Sequence, residues 1–571
     1  MVGTEKTFKG IDERVGLQHG IAYASAMKNF RVDAEGALVK RPDAKLFAVT
    51  QSNEIDGIWK GRIGGTETAV VVSGGELFTV SEEGVLSESF GFINAGKCAF
   101  LPFDSSLYIL NGVNYFKFDG SELSVVTGYV PIVAVSCEPD GSGTAFEQLN
   151  LLNDGRRQLF NGSGTDTVYH LSEQSITAVV HVTVDGIETD AFTVDLSAGT
   201  VTFTAAPARG INNIMIEYRK SSGSQRNRIA RCRHAMKFGG NSDGRLFLWG
   251  NGSYPNYRFH SEMAEGVPSA EYFPVNNFTV IGDSAINTIV QQYDKQLIFT
   301  KDRAFYSFCE LKEDSLGNVY SSFPVYNLNS KKGSLFLSDG CIIGNSAVTV
   351  CEDGINVWES TNIENEKNAL CISDPVKSRI REALEDSDGY NGIVMFDYQC
   401  GHELFFIFGG SALIYNYSAG VWYEYGGFNC ESFFVSGYDI YFSYLNKIYI
   451  LSENGSAQTN DIECVWECAH SDLGVTGGRF DVTGFEADVN TLGACSAEFT
   501  FGDRFAGKTV KKTFTFTGDD DGHKRISIRP HLRRAMPLRV KIKTSGHGEC
   551  RIFGIRFIIK KRERSNKNVI Q

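Results

Sequence analysis

Residues Asp104–Gly120 read Asp-Ser-Ser-Leu-Tyr-Ile-Leu-Asn-Gly-Val-Asn-Tyr-Phe-Lys-Phe-Asp-Gly, and their pattern decides the fold. A polar turn leads into an apolar run, an Asn-Gly turn follows, and a second apolar run ends at Asp119-Gly120. Asn-Gly between two such runs signals a hairpin, because the tight turn needs positive φ at its central positions. The same order recurs at Thr66–Gly84, Asp243–Ser261, Tyr293–Phe308, Asn345–Ser360, Gly401–Tyr417 and Tyr438–Glu453. The later copies start roughly 40 to 55 residues apart, the spacing of four-stranded propeller blades. One such blade cannot cover its own faces, so blades stack radially until the ring closes. The expected fold class is all-β: a β-propeller of six or seven blades, with an inserted small β-sandwich and a C-terminal β-sandwich.

Composition agrees. Hydrophobic residues are 42% and charged residues 22%, which excludes a disordered chain. Sixty Gly against 12 Pro, with 41 Phe and 23 Tyr, suits many short strands and tight turns. Two segments carry helical spacing. Ala22, Ala26 and Phe30 predict a helix over 21–30. Asp374-Pro375, with Val376, Ile380 and Leu384 on one face, predicts a second.

Residues 1–50 form an arm that docks on a neighbour or closes the propeller with a strand. Residues 51–150 and 223–460 form the propeller. Residues 151–222, with strict alternation and an Asp-Gly turn, form the inserted sandwich. Residues 461–571 form a terminal sandwich with a basic tail.

Charge is segregated. The chain carries −13 overall. Residues 501–571 hold 19 Lys+Arg and 6 Asp+Glu, net +13, which leaves −26 on residues 1–500. The basic end, with Lys560, Lys561, Arg562 and Arg564, is either a solvated terminus or a surface for an acidic partner such as a neighbouring copy. Nucleic-acid binding by it would be salt-sensitive and sequence-independent.

Few chemical motifs stand out. There is no His-Glu-x-x-His. Cys464, Cys468 and His470 lack a fourth ligand, and Asp519–Asp521 lack the remaining oxygens of a Ca²⁺ loop, so no metal and no cofactor is expected. The aromatics Trp249, Trp358, Trp422, Tyr423 and Tyr425 read as blade packing rather than a sugar platform. Thirteen scattered Cys and a polar N-terminus lead to an expectation of reduced thiols and no secretory signal. No apolar run is long enough for a membrane-spanning helix.

The N-terminal segment reads Phe8-Lys-Gly-Ile-Asp12, Ala26-Met-Lys-Asn-Phe30-Arg and Gly36-Ala-Leu-Val-Lys-Arg-Pro42. It resembles the opening of β-propeller proteins of bacteriophage tails and necks: tail nozzle and packaged-DNA stabilisation proteins. Asp43 stands where those proteins have Gly. Further similar segments are Gly141–Leu151, Arg156-Arg157, Arg231-Cys-Arg233, Leu246–Asn251, Tyr254-Pro-Asn256 and Tyr272-Phe-Pro274. The resemblance implies a virion structural protein, assembled in the host cytoplasm and not an enzyme. It implies copies of itself in a ring, contact with portal, adaptor or other tail proteins, and double-stranded DNA passing through the channel. On that reading Phe8, Ile11, Met27, Phe30, Lys40, Arg41 and Pro42 are the docking residues of the arm, joined by the basic end. The alternative function is a receptor- or glycan-binding propeller of the tail.

Overall fold

The computed structural model describes residues 2–5, 7–14, 21–52, 54–221, 223–240, 243–313, 317, 319–335, 340–359, 368–386, 393–452, 461–473, 479–503, 507, 509–517, 522–535 and 537–562. Asp519–Asp521 and Arg564 lie outside them.

The hairpin at Asp104–Gly120 shows why the chain folds as it does. Asp104, at φ 52°, turns Ala99–Phe103 back onto Ser106–Leu110, which pairs with Tyr115–Phe118 in the register Leu107↔Phe118, Ile109↔Phe116. All five residues of Ser106–Leu110 are buried. Leu107 and Ile109 pack with Val70, Val72 and Leu77 of the preceding meander. Tyr108 and Leu110 pack with Leu246, Leu248 and Phe259 of the following one. A strand covered on both faces needs an unbroken apolar run rather than alternation. This is the packing of a β-propeller, in which every blade is sandwiched by its neighbours.

Seven four-stranded antiparallel meanders occur among the described residues, one of them continued into a larger sheet. The last combines Ser432–Ser436, Asp439–Tyr444 and Lys447–Ser452 with the N-terminal strand Ala44–Val49, which pairs Ile448↔Ala48 and Leu451↔Ala44. Two distant parts of the chain are thereby closed into one sheet.

Residue contacts divide the chain into two units. One comprises residues 1–58, 81–86 and 331–571, the other 59–80 and 87–330. The second unit carries the inserted sandwich. A six-stranded sheet that includes Gly155–Gly162, Ala178–Val184 and Gly210–Arg219 shares a core of Phe160, Tyr169, Val201, Phe203 and Ile216 with a three-stranded sheet. The six-stranded sheet also takes in Ile132–Cys137 and Thr144–Ala145.

The first unit carries the terminal sandwich. One sheet runs Phe30–Val32, Leu38–Lys40, Glu549–Arg562, Arg479–Leu492, Gly522–Ile528, with Leu532–Ala535 also paired to Arg479–Leu492. The other is nine-stranded. It continues the meander of Val394–Tyr398 to Val421–Gly426 through Ala24–Lys28 into Cys464–Cys468, Leu538–Ser545, Cys495–Asp503 and Thr509–Phe516.

The helix expected over 21–30 is a strand, Ala24–Lys28. It lies antiparallel to Cys464–Cys468 on one side and parallel to Val421–Gly426 on the other, so tertiary pairing supplies its backbone partners and overrides the local spacing. The second expected helix forms: a 3₁₀ turn at Asp374–Val376 runs into Lys377–Asp386, with Val376 and Ile380 buried.

Candidate functional site

The N-terminal arm is a seam inside the first unit. Phe8 meets Trp466 edge-on at 5.1 Å between ring centroids. The Ile11 N–H donates to the Trp422 carbonyl at 2.7 Å, and the Asp12 N–H to the Ala24 carbonyl at 3.0 Å. Gly10 is required by close approach: a Cβ there would sit 2.2 Å from the Trp422 oxygen. Met27 and Phe30 are fully buried.

Asn29, at φ 60°, is the polar hub. Its amide donates to the Glu463 carbonyl at 2.8 Å. Its Oδ1 accepts from Arg41 Nε at 3.0 Å and from the Gly426 N–H at 2.9 Å. Arg41 also lies over the Tyr425 ring, 5.5 Å from its centroid, and donates to the Pro42 carbonyl. Lys40 donates to the Gly546 carbonyl at 2.7 Å, and burial lowers its pKa below the usual range.

The docking role expected for the arm is corrected at these positions. Phe8, Ile11, Met27, Phe30, Lys40 and Arg41 are buried and Pro42 half-buried, so their surface is already used within this chain. Apolar surface spent on the chain's own core is not available to a partner.

The basic end behaves differently. Lys560, Lys561 and Arg562 close the strand Glu549–Arg562 and are exposed. Strand pairing brings them beside Arg479 and Asp481 of Arg479–Leu492, in the register Arg479↔Arg562 and Asp481↔Lys560. On the other side of Arg479–Leu492 lies Leu532–Ala535, which contributes exposed Arg533 and Arg534.

Asp481 organises the cluster. It accepts from Arg562 Nε at 2.9 Å and from the Arg534 N–H at 2.8 Å. Burial pushes its carboxyl up, but these hydrogen bonds and the nearby Arg533 charge prevail and hold it below the usual carboxylate range. Strand pairing thus gathers six cations, Arg479, Arg533, Arg534, Lys560, Lys561 and Arg562, on neighbouring strands, and of these the Arg562 and Arg533 charges act on the Asp481 carboxylate. Arginines directly opposite each other on paired strands repel, so this edge is charged beyond what folding rewards.

Farther along the same sheet the arginines are matched. Arg556 meets Glu486 at 3.3 Å, Arg525 meets Asp488 at 2.7 Å, and Arg551 meets Glu35 at 3.0 Å. The sequence reading found the basic end but missed Arg479, Arg533 and Arg534. They are 26 or more residues away along the chain, and only the strand register gathers them.

Other chemistry is sparse. Cys464 and Cys468 are buried on one strand, and burial pushes both thiols up to about 12. Among the described residues no group of three His, Cys, Asp or Glu could hold a metal ion. Trp249, Trp358, Trp422, Tyr423 and Tyr425 are buried packing residues.

Asp397, in the strand Val394–Tyr398, is a half-buried carboxyl. Burial pushes it up to about 6, against a hydrogen bond from Tyr417 and the His402 charge. The folded state therefore holds this proton more tightly than the unfolded chain does. The resulting cost to stability is absent below pH ~4 and grows as pH rises towards 6. Asp397→Asn is expected to stabilise the protein by about 1 kcal/mol at pH 7, allowing for solvent screening, and not at pH 4. Melting temperatures at the two pH values check this; an equal gain at both would exclude a titrating origin.

No protein-family model matches this chain, and no curated protein matches it. Solved structures similar to it include Kluyveromyces lactis Hsv2 (TM-score 0.25, 9% identity, covering 65% of this chain and 97% of that one). Another is an exo-β-1,3-galactanase from Phanerochaete chrysosporium with galactose (TM-score 0.16, 9% identity, 82% and 97%). A third is the enzymatically active domain of bacteriophage CBA120 tailspike protein 4 (TM-score 0.13, 9% identity), where the match spans 21% of this chain and 15% of the tailspike domain. At such TM-scores and identities these likenesses carry no argument about what the chain does. No helix among the described residues is long and apolar enough to cross a membrane.

Proposed function

We propose that this chain is a structural component of a bacteriophage tail or neck, several copies of which ring the channel that retains and then passes packaged double-stranded DNA. One observation carries the reading. The residues by which the N-terminal segment resembles tail nozzle proteins are those that build the seam: Phe8, Gly10, Met27, Asn29, Lys40 and Arg41. A signature made of fold-specifying contacts is expected to travel with the architecture it specifies.

The charge pattern supports the same reading. A body at −26 repels a phosphate backbone and lets it slide, while the basic end can hold acidic protein surface. The portal or adaptor ring and other tail proteins are the partners this role requires. Negative-stain electron microscopy of the purified chain, alone and with a portal ring, tests it. Rings with a central channel are expected. Single particles under both conditions would overturn the ring-forming role.

A second reading, a receptor- or glycan-binding protein of the tail, has its own observation. The inserted sandwich has an open groove of ≈ 480 Å³ lined by Val184, Ile187, Thr189, Phe203, Ala205 and Pro207. Saturable binding to a sugar array, abolished by substitution of the exposed groove residue Ile187→Asp, would favour it.

A further inference from the structure

We propose that the basic patch around Asp481 is a docking surface for acidic protein, and that its occupant is the inserted sandwich of a second copy of this chain. The inference rests on the ring-forming reading and names the contact that would build the ring.

The patch is unfinished in the isolated chain. Arg479 stands directly opposite Arg562, Arg533, Arg534, Lys560 and Lys561 add charge on the paired strands, and Asp481 is the carboxylate that accepts from Arg562 among the described residues. Incoming carboxylates would relieve this repulsion, so the same residues that weaken the free edge strengthen a complex. The strand Leu532–Ala535 is held in an unusual backbone: His531 and Arg534 adopt φ of 50° and 60°, and the Arg534 N–H is tied to Asp481. That anchoring aims Arg533 and Arg534 without relying on their long side chains.

The rest of the sheet face argues against a nucleic-acid occupant. Glu486, Asp488 and Glu35 alternate with Arg556, Arg525 and Arg551 along it, so a phosphate chain leaving the patch would run over carboxylates. A compact acidic surface fits the patch without meeting them.

The inserted sandwich offers such a surface. Residues 132–219 contain 11 Asp+Glu, four Arg and no Lys, net −7. Of those arginines, Arg156 is paired with Glu173 at 2.5 Å, and Arg157 donates to the Val130 carbonyl at 2.9 Å. Asp185, Glu188 and Asp190 are exposed beside the groove, next to exposed Ile187. A contact between two different surfaces of identical chains is heterologous, and it closes into a ring when the rotation between copies permits.

The test uses the full chain and charge reversal. One variant carries Arg533→Glu, Lys560→Glu and Lys561→Glu; the other carries Asp185→Lys, Glu188→Lys and Asp190→Lys. All six side chains are exposed, and circular dichroism checks that both variants fold. Self-association is read by sedimentation velocity at about 50 mM salt, where surface electrostatics are weakly screened. Wild type is expected to associate and to lose association at high salt. Each variant alone is expected to associate at least ~10-fold more weakly. Mixing the two variants, or placing all six reversals in one chain, is expected to restore association.

Absence of wild-type association overturns the proposal. So does a patch variant that associates like wild type, or a patch variant that is weakened while the insert variant is unaffected. Binding of double-stranded DNA to wild type but not to the patch variant, without self-association, would assign the patch to nucleic acid instead. If both variants still form rings by microscopy, this contact is wrong and the ring-forming role stands.

Discussion

Asn29→Ala is expected to destabilise the first unit by about 4 kcal/mol, because one side chain satisfies three groups, two of them buried and one half-buried, from three parts of the chain. The Glu463 carbonyl loses its donor, and Arg41 Nε and the Gly426 N–H lose their acceptor. Each orphaned buried group costs roughly 1–3 kcal/mol. The backbone at φ 60° adds to the loss, since Asn tolerates the left-handed region better than Ala. Asn29→Asp keeps both acceptor contacts and loses only the donation to Glu463, so less than half the effect is expected. Urea unfolding followed by the fluorescence of buried Trp422 and Trp466 reads the difference. A loss of under ~1 kcal/mol for Asn29→Ala would show that the seam does not depend on this hub.

Gly10→Ala is expected to cost about 3 kcal/mol or more. Its Cβ would lie 2.2 Å from the oxygen and 2.7 Å from the nitrogen of Trp422. Both are backbone atoms of a paired strand, so no rotamer change relieves the clash. Separation of the two segments would break the Ile11 to Trp422 hydrogen bond and the one from the Ala24 N–H to the Gly10 carbonyl at 3.1 Å. Hydrogen exchange at the Ile11 amide should accelerate with the loss of stability. Gly502→Ala is the matched control. It sits in a strand with no heavy atom within 4 Å of the added carbon, and no loss is expected. Equal effects at the two positions would refute the close-approach argument.

The two substitutions bear on one question: what the N-terminal segment is for. Read along the chain, Phe8–Pro42 resembles an arm that reaches for a neighbour. In the folded protein it joins the last meander of the propeller to the terminal sandwich. The strand Ala44–Val49 completes one sheet, Ala24–Lys28 bridges another, and Phe30–Val32 and Leu38–Lys40 complete a third. The apolar residues of the segment are consumed by that work. Lys560, Lys561 and the arginines gathered beside them stay exposed instead.

Much of the propeller was legible locally. The Asn-Gly turn and unbroken apolar run of Asp104–Gly120 report a tight hairpin buried on both faces, and both properties are written within seventeen residues. The helix at Lys377–Asp386 was legible for the same reason, since its start signal and apolar face are local. The strand Ala24–Lys28 was not. Its alanines satisfy a helical spacing, and its strand partners lie about 400 residues later.

The sequence by itself determined the all-β class, the repeated meander, the acidic body and the basic end, because turns, periodicity and charge are properties of neighbouring residues. Only the tertiary structure decided that the N-terminal signature is a buried seam, and that Arg479, Arg533 and Arg534 stand beside Lys560–Arg562 around Asp481. Strand register joins residues that chain order keeps apart, and burial is a property of the whole packed core, so neither can be read from any one stretch.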